Sequence, residues 1–514
     1  MLFDEWPITN HQSPITNHKS QMTNPYDPGI ENPASAGMSV FMGNSITSAL
    51  IKVIVHVTLL SLVATGHAVG AEQLRAAIAT IDITPPIPYR LCGHFSERLS
   101  TGINDPLLAK AVVFKQGDRA AALVFCDLAQ ISLDVSTRAR ARASREVGMP
   151  VEHIAIVATH SHTGPLYFGA LRKHFHERAV QKHGTDIYET VDYSSELVEK
   201  LATVIGRAAN STSPVRLEAG IALENRLSFN RRFHMKSGAV RFNPGAQNPN
   251  IIRPAGPIDP EVGIVTLSAA DSAEHVGAIV SFALHLDTMN GTRYSADFPA
   301  VVQDELRRSY GEKFASLFGA GTCGDINHID VQSHDRLTTQ QIGTMLAATI
   351  AQKMPALSPL ENVSLAVRSA KVNAPLQTFS SEQIAQARDN LNNEQPRKLT
   401  FLERVEAYKI LAVDLRAGSL PMEVQVFRLN SDVAIVTLPG EVFVDLGIAI
   451  KTASPFKTTL VIELANDGPG YFPTRRAFVE GSYETVNSRV KPGGSEMLVE
   501  TAIELLTDLA DDAP

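Results

Sequence analysis

The chain predicts an α/β (mixed α+β) fold: one large domain of mixed sheets and helices, with its site at strand C-terminal ends. Three observations carry this. Apolar, β-branched runs bounded by turn residues recur between positions 76 and 464. Helical stretches fall between them rather than in a separate block. Several strands also run straight into polar residues able to do chemistry, and strand C-terminal edges are where α/β sheets build sites.

The chain has 514 residues, 44% of them hydrophobic, enough for a large core. A formal net charge of −8 with interspersed signs gives no basic footprint, so nucleic acid is not an expected partner. Neither G-x-G-x-x-G nor a P-loop occurs. Cys92, Cys126 and Cys323 allow at most one intramolecular disulfide and lack C-x-x-C spacing.

Residues 1–47 read as a disordered or misannotated leader, polar and carrying a near-duplicate at 7–13 and 14–20. Residues 48–71 join a basic Lys52, a short apolar run and a small-residue end, the make-up of a signal peptide. The expected location is secreted or periplasmic, with an uncleaved anchor as the alternative. The domain itself is expected over 72–514.

From there the elements follow in order. Residues 76–84 alternate like a strand and stop at Pro85-Pro86. Strands at 111–114 and 120–125 flank Gly117-Asp118, a hairpin signal. A helix over 134–147 stops at Gly148, and a strand over 154–157 follows. Residues 166–193 are polar and read as an excursion over the site. Residues 194–209 are helical and 221–250 basic and loop-rich. A strand pair at 262–267 and 275–284 precedes a helix at 296–309 and a short strand at 314–320. Residues 380–418 read as a helical hairpin with a capping box at Ser380–Gln383 and solvated charged faces. Strands at 424–429, 433–438 and 459–464 and a helix at 495–509 end the chain.

The strand at 154–157 runs into Ala158-Thr159-His160-Ser161-His162-Thr163-Gly164-Pro165. If extended geometry persists, His160 and His162 face one pocket, because residues i and i+2 point the same way. Two histidines capping a strand by hydrogen bonds is the plainer explanation of H-x-H alone. Other strand ends add to it: His285, the Cys323-Gly324-Asp325-Ile326-Asn327-His328 stretch, Glu441 after Pro439-Gly440, and Asn466-Asp467-Gly468-Pro469-Gly470-Tyr471. Each has an ordinary structural explanation as a turn or a core histidine. Two histidines, a carboxylate and open positions fit a catalytic Zn²⁺. Ca²⁺ and Mg²⁺ prefer mostly oxygen ligands.

Taken in order, these motifs, with Ile81-Asp82-Ile83-Thr84-Pro85 and Gly102-Ile103-Asn104-Asp105-Pro106-Leu107 ahead of them, resemble the neutral/alkaline non-lysosomal ceramidases over roughly residues 76–500. The resemblance implies that His160, His285, Glu441 and Tyr471 hold Zn²⁺. It implies that His162 transfers a proton and that Tyr483, twelve positions after Tyr471, hydrogen-bonds the developing oxyanion. Asn230 and Arg231 would lie at the substrate mouth. The family's C-terminal immunoglobulin-like domain has no counterpart expected in the short stretch after Tyr483.

Two positions depart from the family. Asn327 stands where its motif has an essential serine, and Gly468 where it has a tyrosine. An amide is no nucleophile, but Asn327 can donate a hydrogen bond to an oxyanion. Metal-activated water needs no serine. The resemblance therefore implies a zinc-dependent amidohydrolase acting on an N-acyl lipid, a substrate compatible with peripheral membrane contact. Another amide or ester, or a metal-containing binding protein without turnover, are the alternatives. Cys323 reads as buried and inert.

Overall fold

The computed structural model describes residues 72–512 except 273, 393–398 and 417. The leader and signal-peptide expectations lie outside the described residues.

The nine strands of the main sheet are Arg75–Asp82 (β1), Leu108–Gln116 (β2), Arg119–Cys126 (β3), Ile154–Ala158 (β4), Ser213–Leu223 (β5), Glu261–Ala269 (β6), His275–Phe282 (β7), Ala315–Ala320 (β8) and Ser358–Pro359 (β9). They form one sheet of order β8-β7-β6-β5-β1-β2-β3-β4, with β9 on β5. Neighbours are antiparallel except β3–β4 and β7–β8, which are parallel. Strands β1 and β5 pair only through Arg75 with Pro214 and Ala76 with Ser213. The chain after β4 meets the chain after β7 through His162 N–H to the Leu286 carbonyl, 3.1 Å. A second sheet holds Ala366–Pro375 (β10), Ser419–Arg428 (β11), Val433–Thr437 (β12) and Thr458–Ile462 (β13) in that order.

The period of two along the strands sets the layers. Val112, Phe114, Leu123, Phe125 and Val157 meet Phe427, Ile435, Leu460 and Ile462 between the two sheets. Their neighbours Ala111, Val113, Val124 and Ile156 turn the other way, onto helices Leu133–Val147 (α1) and Tyr193–Asn210 (α3). Val426, Val436 and Val461 face the outer layer, which includes the C-terminal helix Glu496–Asp511. Burial on both faces explains why these strands read as unbroken apolar runs. Each fully buried Val, Leu, Ile or Phe contributes roughly 1.5–3 kcal/mol. A core of this extent makes the strand ends a rigid base for a site.

Most sequence expectations land within a residue or two. The hairpin turns at Gly117, with Gln116 opposite Arg119. Helix α1 ends on Gly148 at φ 69°, and the Ser380–Gln383 box closes both ways. Five regions differ. The excursion at 166–193 contains helix Gly169–His183 (α2). The stretch 221–250 is not loop alone: it holds the end of β5 and two strands of a small sheet, Arg232–Met235 and Val240–Phe242. Helix Thr339–Lys353 and strand β10 carry no sequence expectation. Finally, the hairpin of Ser381–Asn392 and Phe401–Asp414 is not wholly solvated, because Tyr408, Lys409 and Ala412 turn toward the site. No helix among the described residues is long and apolar enough to cross a membrane.

Candidate metal centre

The expected extended geometry does not persist to His160. Strand β4 ends at Ala158, and His160 has φ 86°, a left-handed conformation rare outside glycine. Its surroundings hold it there: His160 N–H donates to the Leu128 carbonyl and Nδ1 bonds the Ala129 carbonyl, both at 2.9 Å. The turn, rather than strand periodicity, brings His160 and His162 together. Strand β7 delivers His285 to the same point. The Nε2 atoms of His160 and His285 lie 3.0 Å apart, and that of His162 lies 3.4 Å from His160 Nε2. Among the described residues these three form a cluster able to hold a metal ion.

Glu441 completes the group, with Oε2 3.4 Å from His160 Nε2. Its Oε1 accepts from Gln130 Nε2 at 3.0 Å, whereas the buried Oε2 has no hydrogen-bond partner. Glu441 and Tyr471 are register partners in a short parallel pairing. Arg231 Nη2 donates to the Tyr471 hydroxyl at 3.1 Å, and its guanidinium lies over the rings of Tyr471 and Tyr483. Arg231 is itself held by Glu484 and the Gly324 carbonyl, each at 2.8 Å.

These residues fit a cation. A carbonyl only accepts, so His160 Nδ1 carries the proton and Nε2 presents a lone pair. His285 hydrogen-bonds the Cys323 backbone through its other face, which orients its Nε2 inward in the same way. Burial, then the neighbouring His160, drives His285 well below the usual histidine range and His162 to about 3. Both are therefore neutral, as ligands must be. Burial alone would raise Glu441, but the neighbouring His160 holds it at about 2. Two imidazole nitrogens and a carboxylate oxygen thus converge on one point. Such a set costs several kcal/mol unless a positive charge sits among it.

Above this point a cavity of about 160 Å³ is lined by His160, His162, Glu441, Tyr471 and Tyr483. Its outer wall is apolar, from Leu166, Phe168, Leu171 and Ala412. Phe95, Phe242, Phe401 and Tyr408 pack around Tyr483 at the mouth. Burial, then Glu441, pushes Tyr483 up to about 12, so its hydroxyl stays a donor.

Three residues expected to meet the substrate do not line the cavity: Arg231, expected at the substrate mouth, is buried behind Tyr471, and Asn327 and Asn230 are engaged elsewhere. Asn327 Nδ2 donates to Asn243 Oδ1 at 2.8 Å and its Oδ1 accepts from Ile329 N–H at 3.0 Å; it does not line the cavity. Asn230 bonds Asp325 and the Pro257 carbonyl, which anchors the Arg231 segment. Cys92, Cys126 and Cys323 are free thiols. Cys323 is buried, and its Sγ donates to Glu463 Oε1 at 3.1 Å.

Sequence reasoning missed Gln130 and the pairing of Asp287 with His328. Both follow strand ends, β3 and β7, the signal that found the histidines. Burial would raise Asp287, but the His328 hydrogen bond at 3.1 Å and the charge around it hold it at about 2. A carboxylate therefore stands in the field of His162.

No family model matches this sequence, and no curated protein does. Solved structures do match in fold. The neutral ceramidase from Pseudomonas aeruginosa superposes with a TM-score of 0.66 at 20% identity, covering 86% of this chain and 75% of that one. A ceramidase complexed with C2 gives 0.65 at 18%, covering 86% and 76%.

Proposed function

We propose that this chain is a secreted zinc-dependent hydrolase that cleaves the amide bond of an N-acyl lipid with water, giving a carboxylic acid and an amine. One observation carries the reading: the convergence of His160 Nε2, His285 Nε2 and Glu441 Oε2 beside a cavity partly lined by apolar side chains. His160, His285 and Glu441 hold the ion, with Tyr471 at its edge. Zinc bound there supplies Lewis-acid activation of water and of the scissile carbonyl.

The chain's own residues do the rest. The apolar wall takes the acyl chain and keeps bulk water away. His162 Nε2, neutral and facing the same point, accepts the proton that water loses and returns it to the leaving nitrogen, with Asp287 steadying the positive ring. The Tyr483 hydroxyl donates to the carbonyl oxygen as it gains charge. Arg231 orients Tyr471 through its 3.1 Å hydrogen bond.

The site needs no side-chain nucleophile, consistent with Asn327 being occupied by Asn243 and Ile329. That placement favours a second reading, in which the machinery is the same but the substrate is an amide or ester other than ceramide. Secretion rests on the 48–71 pattern. The test is elemental analysis of purified protein, with hydrolysis of N-dodecanoyl sphingosine and of other dodecanoyl amides by the native chain and His160→Ala. Metal-dependent cleavage lost in the variant supports the hydrolase; bound metal without turnover leaves a binding protein; no zinc and no affinity for it refutes both.

A further inference from the structure

Arg489 lines the same cavity as His160, Glu441 and Tyr471. Its guanidinium packs on the backbone just before the tyrosine: a Cβ on Gly470 would lie 3.7 Å from its Cζ. Its Nε is buried without a hydrogen-bond partner, and Nη1 reaches only the Gly468 carbonyl at 3.5 Å. The nearby carboxylate, Asp467, is taken by Arg416 at 2.9 Å. Burial, then Arg416, lowers Arg489 to about 10, so it remains charged at neutral pH. Arg489 is half-buried, and a buried donor such as its Nε ordinarily has a partner. Lys409 also lines the cavity, but its ammonium is taken by Gln377 at 3.3 Å and Glu406 at 3.9 Å; the one carboxylate there, Glu441, faces Gln130 and His160. A bound divalent ion would make the cavity more positive still. The polar end of the cavity is therefore built for an anion, while its outer wall is apolar.

We propose that Arg489 is a specificity-determining residue that binds a carboxylate on the amine half of the substrate, making the preferred substrate class N-acyl amino acids rather than neutral N-acyl lipids. This deepens the amidohydrolase reading and rests on it for turnover, although not for binding. The small cavity places the anion within a few bonds of the scissile amide. Water adds across that amide, and the products are a fatty acid and a free amino acid. Arg489 presents a planar fork of N–H donors that matches a carboxylate.

The test compares N-dodecanoylglycine with the similarly sized, neutral N-dodecanoylethanolamine, using the full chain loaded with zinc. The native protein should favour the glycine conjugate in kcat/KM. Arg489→Gln should lower that preference about 10- to 100-fold, the scale of a charged hydrogen-bonded pair, chiefly through KM, and Arg489→Lys should restore part of it. An unchanged preference in Arg489→Gln overturns the inference. Calorimetric binding of N-dodecanoylglycine to metal-free protein gives a readout independent of turnover. Binding that weakens 10- to 100-fold in Arg489→Gln sustains the anion site even if neither amide is hydrolysed, in which case the hydrolase reading alone fails. Binding indifferent to Arg489 in folded variants, judged by an unchanged melting temperature, overturns the anion site even if the ethanolamide is cleaved.

Discussion

His160 and His285 face one another Nε2 to Nε2 at 3.0 Å, and the other nitrogen of each ring is engaged by backbone. With both rings neutral, a cation in the gap would relieve the contact. The purified protein is expected to carry about one zinc per chain, as a site with three protein ligands and an open position does. Removing it with a chelator should lower the melting temperature, and zinc should restore it, by about 2.7 kcal/mol when free zinc is ~100 times Kd. His160→Ala should bind no zinc. A melting curve indifferent to chelator would contradict the lone-pair argument.

The same histidines set a pH dependence for the metal-free chain. His162 is depressed from 6.5 to about 3, and His285 also lies well below its ordinary value. Unfolded, both take protons as pH falls through about 6.5; folded, they refuse them. Stability is therefore complete above about pH 6.5 and is lost progressively as pH falls toward 3, at about 1.4 kcal/mol per pH unit for each excluded proton. Urea titrations of metal-free protein at pH 7.5, 6 and 5 should show midpoints falling below pH 6.5. His162→Gln should show a slope shallower by about one proton. Equal slopes in the two proteins would mean that His162 is not buried neutral.

His162 lies close enough to be read either as a ligand or as a proton carrier, and its replacement separates the roles. If it carries the proton, His162→Ala should keep its zinc and lose about 10²- to 10⁴-fold in kcat, the usual contribution of a positioned base. Elemental analysis beside single-turnover kinetics checks both. Loss of zinc along with activity would place His162 among the ligands.

The sequence reveals the residues of this site better than it reveals why they meet. His160, His285, Glu441 and Tyr471 each follow an apolar strand, and apolar runs ending in polar residues are visible without a structure. The reason first given for pairing His160 with His162 does not hold, because His160 sits at φ 86° beyond the strand. Its conformation is set by the Leu128 and Ala129 carbonyls, contacts some thirty residues away in sequence. The register of Glu441 with Tyr471 is likewise tertiary. Helix Thr339–Lys353 begins at a capping box of Thr338 and Gln341, a local signal that was present in the sequence. Asn327 shows the opposite limit. Its position in a motif pointed to the reacting centre, whereas its hydrogen bonds to Asn243 and Ile329 turn it into a local tie.

Gly468 offers the sharpest test of how the metal set is held. A Cβ there would come within 2.7 Å of the Gln130 side chain, at both Cβ and Oε1. Gln130 is the group that fixes Glu441, donating to Oε1 at 3.0 Å and leaving Oε2 for the ion. Gly468 is not among the residues of positive φ, so Gly468→Ala acts through this clash rather than backbone strain. Gln130 should be pushed from Glu441, and zinc affinity should fall about 10- to 100-fold, as when a supporting hydrogen bond to a ligand is lost. Gln130→Ala should cause a similar fall. Because both changes break the same contact, the double variant should bind zinc little worse than either single one. Competition with a chromophoric chelator measures all four proteins, and additive losses would show that Gly468 acts on the site by some route other than Gln130.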